Sequence, residues 1–305
     1  MSSPPGAAPA IEASALTKRF RSTVAVDGLT FSVPHGSVTG FLGPNGAGKT
    51  TTMRMLLGLA HPTSGSARVL GRPYEQLERP LAAVGAALET TGFHPGRTAR
   101  SHLRVLCVEG GLPADRVDPV LERTGMSAFA TVKVGEYSLG MRQRLAFAAA
   151  LLGDPSVLVL DEPANGLDPA GVAWLRGFLR RFADDGGAVL VSSHLLTEVA
   201  EVADRVVVID RGKLLAEDSV DALVNAGGES VIVRTPDPDG LAGAVRDAGG
   251  SVEVGTDGAL SIRAISIERV GELAASRGVV LHELRRDTAT LEQAFLALTT
   301  PRMPG

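Results

Sequence analysis

The chain has 305 residues, of which 44% are hydrophobic and 21% are charged, and its formal net charge is −4. This length predicts one large domain and one smaller domain, because a single hydrophobic core normally stops growing near this size. The negative balance argues against general affinity for nucleic acid. A single cysteine, Cys107, excludes an intramolecular disulfide framework and a cysteine-rich zinc site.

Nothing in the sequence predicts a membrane-spanning or secreted chain. No run reaches the roughly 18 apolar residues that a spanning helix needs. The first residues lack the basic and apolar regions of a signal peptide, so we expect a cytoplasmic protein. Residues 1–10 are Pro, Ala, Ser and Gly for the most part, which predicts a disordered tail, with folded structure beginning near Ile11.

Four apolar runs predict strands of a mostly parallel α/β sheet. Each is followed by Gly, Pro or polar residues and then by a pattern with helical spacing, which is the alternation of α/β proteins. The runs are Val38–Leu42, Val157–Leu160, Val189–Ser192 and Val206–Ile209. Between the first two, residues 91–144 have a helical pattern without strong strands and predict a helical insertion.

A second pattern follows the first domain, which we place at residues 11–225. A linker is expected near residues 226–228, and residues 229–300 show the order β-α-β-β-α-β, which predicts a small ferredoxin-like domain. The predicted strands are Ser230–Arg234, Val252–Val254, Leu260–Arg263 and Val279–Leu284. The predicted helices are Leu241–Ala248, Ile267–Ser276 and Leu291–Leu298.

A glycine-rich loop between the first of these strands and a helical run matches the phosphate-loop pattern G-x-x-x-x-G-K-[ST]. Backbone N–H groups of such a loop point at phosphates, Lys49 supplies charge for the β- and γ-phosphates, and the Thr50 hydroxyl is expected on Mg²⁺. A chance match somewhere in this composition has a probability of about one in a hundred or less. The candidate nucleotide-binding residues are Gly43, Pro44, Asn45, Gly46, Ala47, Gly48, Lys49, Thr50 and Thr51.

Two acids end the strand Val157–Leu160, at the sheet edge where the phosphates would lie. Asp161 is expected to hold Mg²⁺, directly or through water, and Glu162 to orient or deprotonate the attacking water. His194 ends another strand and is a candidate γ-phosphate contact. The alternatives are a solvated strand-end charge for the acids and a structural role for the histidine; together with a phosphate loop, the catalytic interpretation is favoured.

Together these residues resemble the ATPase subunit of an ATP-binding cassette (ABC) transporter, from about Ile11 to Glu217. Tyr137–Arg144 resembles a variant of the family signature LSGGQ-x-QR, in which Ser138 and Gly140 match. In the family, this signature opens a helix and clamps the γ-phosphate held by the opposite subunit. The alternative is a plain helix start, with Ser138 as its N-cap.

Three further positions are given roles by the resemblance alone. Asp168, in Asn165–Asp168, occupies the D-loop that crosses the family's dimer interface. Phe20 stands where an aromatic residue stacks on adenine, and Phe keeps the stacking face. Glu89 replaces the glutamine of the Q-loop, which in the family contacts Mg²⁺ and links the site to the membrane partner; the alternative is a strand-end acid without metal contact.

The resemblance implies a P-loop NTPase fold with ATP and Mg²⁺ as its ligands. It implies a head-to-tail dimer with a second copy and contact with integral membrane permease subunits on the inner face of the membrane, with no nucleic acid. Thr91–Pro95 and Thr98–Arg100 resemble the segment that docks on those subunits. The C-terminal domain resembles that of drug or antibiotic exporter subunits, so the export assignment rests on analogy. The alternatives are a soluble ABC-type ATPase and a non-hydrolysing regulator.

Overall fold

The computed structural model describes residues 8–88, 92–193, 199, 201–226, 229–255, 258–288 and 291. The chain divides into two compact units, residues 1–219 and 220–305. The division therefore precedes the linker predicted at residues 226–228. At the other end, Ala10 lies in the predicted tail, yet it is buried and its N–H donates to the Val33 carbonyl over 2.8 Å. The tail prediction is wrong at that residue, because the backbone there already pairs with a strand.

The first unit contains the predicted mostly parallel sheet. Its six strands have the order β5-β6-β7-β3-β8-β9, and β9 alone is antiparallel to its neighbour. The strands are β3 (Ser37–Leu42), β5 (Val84–Ala87), β6 (Val157–Leu160), β7 (Ala188–Ser193), β8 (Arg205–Asp210) and β9 (Lys213–Ser219). All residues of β3, β6 and β7 are buried, which is why these strands read as continuous apolar runs.

A smaller antiparallel sheet, which the sequence did not predict, precedes and flanks the phosphate loop in the chain. Its strands are β1 (Ile11–Phe20), β2 (Thr23–Val33) and β4 (Ser64–Val69), in the order β2-β1-β4. Buried residues alternate with exposed ones along these strands, so one face packs into the core. Phe31 of this sheet stacks on Phe41 of β3 with ring centroids 5.3 Å apart.

The first unit also contains helices whose bounds the structure describes. They are α1 (Lys49–Leu56), α2 (Pro80–Ala83), α3 (Ala99–Glu109), α4 (Val117–Arg123), α5 (Leu139–Leu151) and α6 (Pro169–Asp184). The predicted helical insertion corresponds to α3, α4 and the start of α5, but α5 continues past residue 144 and packs on β5. Phe147 of α5 lies edge-on to Trp174 and Phe178 of α6, at 5.6 and 4.9 Å, so aromatic contacts join these two helices.

The second unit has the predicted element order. After α7 (Val220–Ala226) come β10 (Glu229–Arg234), α8 (Pro238–Asp247), β11 (Ser251–Val254), β12 (Leu260–Arg263), α9 (Ile267–Ser276) and β13 (Glu283–Thr288). The strands form one antiparallel sheet in the order β11-β12-β10-β13, as in ferredoxin-like domains. The core residues are Val231, Val233, Leu241, Val245, Leu260, Ile262, Val270 and Ala274.

The last strand of this unit was predicted at the wrong place. Val279 donates its N–H to the Ala274 carbonyl at the end of α9, so its backbone closes the helix instead of pairing with a strand. Val280 is 60% exposed, and pairing with β10 begins at Glu283. The predicted helix Leu291–Leu298 lies outside the described residues apart from Leu291. Within the described ranges, no helix combines the length and the apolar character needed to cross a membrane.

Thr39 carries a buried hydroxyl with no hydrogen-bond partner among the described residues, in the middle of β3. Thr39→Val replaces this hydroxyl by a methyl group, and we expect the free energy of unfolding to rise by about 1 kcal/mol in urea titrations. The control is Thr124→Val. Thr124 is equally buried but donates to the Val120 carbonyl over 2.8 Å, so its replacement should lower the free energy by about 1 kcal/mol. Equal changes in the free energy of unfolding in the two variants would contradict the conclusion that the Thr39 hydroxyl lacks a hydrogen-bond partner.

His102 of α3 is the basis of a pH prediction. Its Nδ1 is buried and, among the described residues, unpartnered; the ring lies edge-on to Phe93 at 5.0 Å. Burial above all, and then the charge of Arg97, lowers the pKa of His102, against an opposite effect of Glu109. The unfolded chain therefore takes up this proton first as the pH falls below about 6.5, and stability falls with pH until the folded pKa is reached.

His102→Phe should therefore flatten the dependence of the unfolding free energy on pH below about 6.5. Phenylalanine keeps the ring contact with Phe93. A difference in pH dependence between the two proteins is therefore due to the titrating imidazole. The measurement is urea denaturation of both proteins across this pH range. Parallel curves would show that His102 does not contribute to the dependence.

Candidate nucleotide site

The phosphate loop joins β3, which lies between β7 and β8 in the parallel sheet, to the N-terminus of α1. Gly48 precedes the helix with a φ of 106°, and a Cβ there would lie 2.5 Å from the Ala25 carbonyl oxygen. A Cβ on Gly43 would lie 2.5 Å from the Ile209 carbonyl oxygen. The loop therefore needs glycine at both positions, and the free N–H groups at the start of α1 make it an anion site.

Lys49, the first residue of α1, is 7% exposed and is directed back along the loop. Its Nζ donates to the carbonyl oxygens of Gly43 and Pro44, at 2.6 and 3.4 Å. The same Nζ lies 3.7 Å from Glu162 Oε1. The Lys49 ammonium therefore lies between the loop backbone and Glu162, the second acid of the predicted pair.

Asp161 immediately follows β6 and is buried. Its Oδ2 accepts a hydrogen bond of 2.6 Å from the Thr50 hydroxyl, and its backbone N–H donates to the Ala87 carbonyl over 2.8 Å. The structure therefore brings together the two residues predicted to hold the metal. Glu89, the third candidate, and His194 lie outside the described residues.

Ser192, at the end of β7, is a site residue that the sequence did not single out. Its hydroxyl donates to Asp161 Oδ1 over 2.5 Å and accepts from the Glu162 N–H over 2.9 Å. Glu162 has a φ of 49°, a left-handed conformation that is rare outside glycine. A hydroxyl residue at a strand end beside an acidic strand end is the only sequence signal that could have found it.

An open cleft with a volume of ≈ 790 Å³ contains these groups. Its lining residues are Ala25, Pro44, Asn45, Gly46, Gly48, Lys49, Thr50, Thr51, Asp161 and Glu162. Phe20, Ser138, Gly140 and Asp168 are not part of this lining.

The signature segment does not line the cleft, but it contacts the chain next to the acid pair. Ser138 is the N-cap of α5, and its Oγ accepts from the Met141 N–H over 3.2 Å, as the alternative interpretation predicted. A Cβ on Gly140 would lie 2.8 Å from the Gly166 carbonyl oxygen, so the segment packs tightly on the residues before α6. Gln143 Nε2 lies 3.5 Å from the Glu162 carbonyl oxygen.

Asp168 and Phe20 have local roles in the structure. Asp168 is the N-cap of α6 and accepts from the Gly171 N–H over 2.8 Å. Phe20, at the end of β1, is 51% exposed, with Lys18 Nζ 5.0 Å from its ring centroid. Its exposed face leaves the ring available for stacking.

The comparisons with known proteins agree with this geometry. Residues 26–165 match the ABC transporter family, and residues 229–292 match a Domain of unknown function (DUF8746). The bacitracin transport ATP-binding protein BcrA of Enterococcus faecalis is 40% identical over 216 residues, covering 70% of each chain. This chain belongs to the ABC transporter family as an ATP-binding subunit. The relatives confirm the resemblance to exporter subunits. They also favour a transporter subunit over a soluble ATPase.

Two further proteins extend the comparison. An uncharacterized ABC transporter ATP-binding protein, YhcH of Bacillus subtilis (strain 168), is 33% identical over 293 residues, or 95% of both chains, so the likeness includes the second unit. The solved dimeric structure of MJ0796, a bacterial ABC transporter cassette, has a TM-score of 0.63 at 21% identity over 68% of this chain and 98% of that one. The latter supports the ABC ATPase fold of the first unit.

Proposed function

We propose that this ABC subunit hydrolyses ATP, with Lys49 and the loop Gly43–Thr50 binding the phosphates and Glu162 acting on the attacking water. The observation that supports this most directly is the arrangement at the start of α1. A lysine ammonium, a threonine hydroxyl and two carboxylates from two separate chain segments meet in one cleft that ends on helix N–H groups. In-line hydrolysis of a γ-phosphate requires this set of groups.

Thr50 and Asp161 fit a magnesium ion. A hydroxyl and a carboxylate are hard oxygen donors, and Mg²⁺ is commonly held by one or two carboxylates together with substrate phosphates. Within the described ranges, no group of three or more His, Cys, Asp or Glu could hold a metal ion by itself. When bound, Mg²⁺ would neutralise phosphate charge; Glu89, in the family's Q-loop position, is a third candidate for it.

Glu162 is proposed to accept the proton of the attacking water. Its side chain is 11% exposed and lies 3.7 Å from Lys49 Nζ, so it is held within the cleft on the side of the phosphate loop. A carboxylate in that position can orient water toward a phosphorus atom and take its proton. His194 is proposed to contact the γ-phosphate from the end of the neighbouring strand β7.

A second copy of the chain is proposed to complete each site. Ser138, Gly140 and Asp168 do not line the cleft of their own chain, and Leu139 beside them is 64% exposed. An exposed helix N-terminus suits an anion held by another molecule. The dimeric MJ0796 cassette, which shares the fold, supports self-association, and we propose that the two copies face each other head to tail. Phe20 is proposed to stack on adenine through its exposed face.

The transport assignment follows from the relatives. Because BcrA is described as a bacitracin transport protein, we propose that this chain energises export of a drug- or antibiotic-like cargo. Separate integral membrane subunits would carry the cargo and dock the chain on the inner face of the membrane. Thr91–Pro95 and Thr98–Arg100 remain the proposed docking segment, of which Thr91 lies outside the described residues.

Mixing two inactive variants tests the shared site. Lys49→Ala disables the phosphate loop, and Ser138→Arg blocks the signature, so neither protein alone should release phosphate from ATP. In a head-to-tail dimer of the two, one site joins an intact loop to an intact signature. Phosphate release should therefore reappear on mixing. An inactive mixture would contradict the shared site, and a wild-type chain without hydrolysis would contradict the proposed activity.

A further inference from the structure

Ser192 is buried where the ends of two neighbouring strands meet. Strands β6 and β7 are parallel, and Leu160 pairs with Val191, so the next residues along, Asp161 and Ser192, lie side by side. Ser192 has no exposed surface. Its hydroxyl therefore forms its hydrogen bonds with protein groups, and both observed partners belong to the acid pair.

The direction of these two bonds follows from the chemistry of the groups. The Glu162 backbone N–H can only donate, so Ser192 Oγ accepts from it over 2.9 Å. The single proton of the hydroxyl is then directed to Asp161 Oδ1, 2.5 Å away, and the carboxylate accepts it. One side chain thus fixes a carboxylate oxygen and a backbone amide of two consecutive residues.

This arrangement constrains the orientation of Asp161. Its Oδ1 accepts from Ser192 and its Oδ2 from Thr50, so the plane of the carboxylate is held at both oxygens. Hydrogen bonds to charged acceptors are the strong ones in proteins. Without the Ser192 hydroxyl, the hydrogen bond at Oδ1 is lost, and the bond from Thr50 at Oδ2 alone constrains the plane of the carboxylate less.

The second hydrogen bond fixes Glu162. A left-handed non-glycine residue is strained and persists only where its surroundings impose it. The φ of 49° at Glu162 is found where its N–H meets Ser192 Oγ, and the side chain then reaches the vicinity of Lys49. The same hydroxyl therefore helps to set the direction of the proposed base.

We propose that Ser192 is a positioning residue that orients the Asp161 carboxylate for the metal and the Glu162 backbone for water activation. The inference rests on the proposed ATP hydrolysis and extends it to a residue outside the phosphate loop and the acid pair. Ser192 touches neither nucleotide nor metal in this account. It acts through the two acids.

The test uses the full-length chain with Ser192→Ala, which removes the hydroxyl, and Ser192→Thr, which retains it. Ser192 is among the residues that line a small cavity, together with Pro163 and Val172. Loss of such supporting hydrogen bonds at a metal site typically costs about 10–100-fold in affinity or activity. We expect Ser192→Ala to lower kcat by about that factor with a smaller change in KM, and Ser192→Thr to restore kcat.

A second readout does not depend on turnover. A fluorescent ATP analogue is titrated with Mg²⁺ and with EDTA in each variant. Ser192→Ala should lose most of the gain in affinity that Mg²⁺ gives, while its affinity in EDTA stays at the wild-type value. Thr39→Val, which removes a buried hydroxyl without a described partner from the adjacent strand β3, is the matched control and should behave as wild type.

Three results would overturn the proposal: wild-type kcat and Mg²⁺ dependence in Ser192→Ala, equal losses in Ser192→Ala and Ser192→Thr, or the same loss in Thr39→Val. Should Ser192→Ala fail to fold, Ser192→Cys, whose thiol donates only weakly, is compared with Ser192→Thr by the same criteria. If the wild-type chain does not hydrolyse ATP, the proposed activity fails, and the Mg²⁺-dependent affinity alone decides the role of Ser192.

Discussion

Glu162→Gln is expected to lower steady-state ATP hydrolysis by about 10²–10⁴-fold, the contribution typical of a positioned general base. Glutamine has the size and shape of glutamate, so the packing and the backbone bond from the Glu162 N–H to Ser192 are retained. The amide cannot accept a proton from water. The phosphate loop is untouched, so nucleotide affinity should stay near the wild-type value.

The variant should also accumulate as an ATP-bound dimer if, as we propose, ATP closes the dimer and hydrolysis opens it. Size-exclusion chromatography with Mg²⁺ and ATP measures this, alongside a phosphate-release assay. Glu122→Gln, at an exposed position on α4, is the matched control and should hydrolyse ATP at the wild-type rate. Wild-type turnover in Glu162→Gln would remove Glu162 from the mechanism.

The parallel sheet was predictable because its central strands are buried on both faces. Val157–Leu160 was predicted with the observed bounds, since a continuous apolar run between turn residues leaves few alternatives. The sheet of β1, β2 and β4 was not predicted. Its strands alternate buried and exposed residues and contain bulges, so their pattern alone does not reveal which segments pair.

The error at the last strand of the second unit has a local cause. Val279 and Val280 have high β propensity, but Val279 closes the end of α9 and Val280 faces solvent. His282 donates its N–H to the Arg234 carbonyl, and pairing with β10 begins at the next residue, Glu283. A tertiary contact thus decides the strand boundary, against local propensity.

In the site, motifs predicted which residues meet, and the structure adds how they are held. The contact between Thr50 and Asp161 follows from the phosphate loop and the acid pair standing at the same sheet edge. The role of Ser192 could not be derived in this way, because a hydrogen bond across two strands depends on their register. Ser138 and Asp168 are helix N-caps in the structure, a role that is compatible with a second one at a partner's nucleotide.

Lys49→Ala is expected to weaken nucleotide binding itself, in contrast to Glu162→Gln. A charge-assisted hydrogen bond contributes about 1.5–3 kcal/mol, which corresponds to a loss of affinity of about 10–150-fold. The loss should appear with and without Mg²⁺, because the proposed contact of Lys49 with phosphate is direct. Titration of a fluorescent ATP analogue under both conditions measures it.

The effect must be separated from damage to the loop, because Lys49 Nζ also donates to the Gly43 carbonyl. Lys133→Ala, at an exposed position, controls for the loss of one positive charge and should bind the analogue as wild type does. Lys49→Met removes the charge while keeping an unbranched side chain, and it should bind as weakly as Lys49→Ala if the charge is what matters. Unchanged affinity in both Lys49 variants would contradict the phosphate-binding role of this loop, since no other lysine lines the cleft in the described part of the chain.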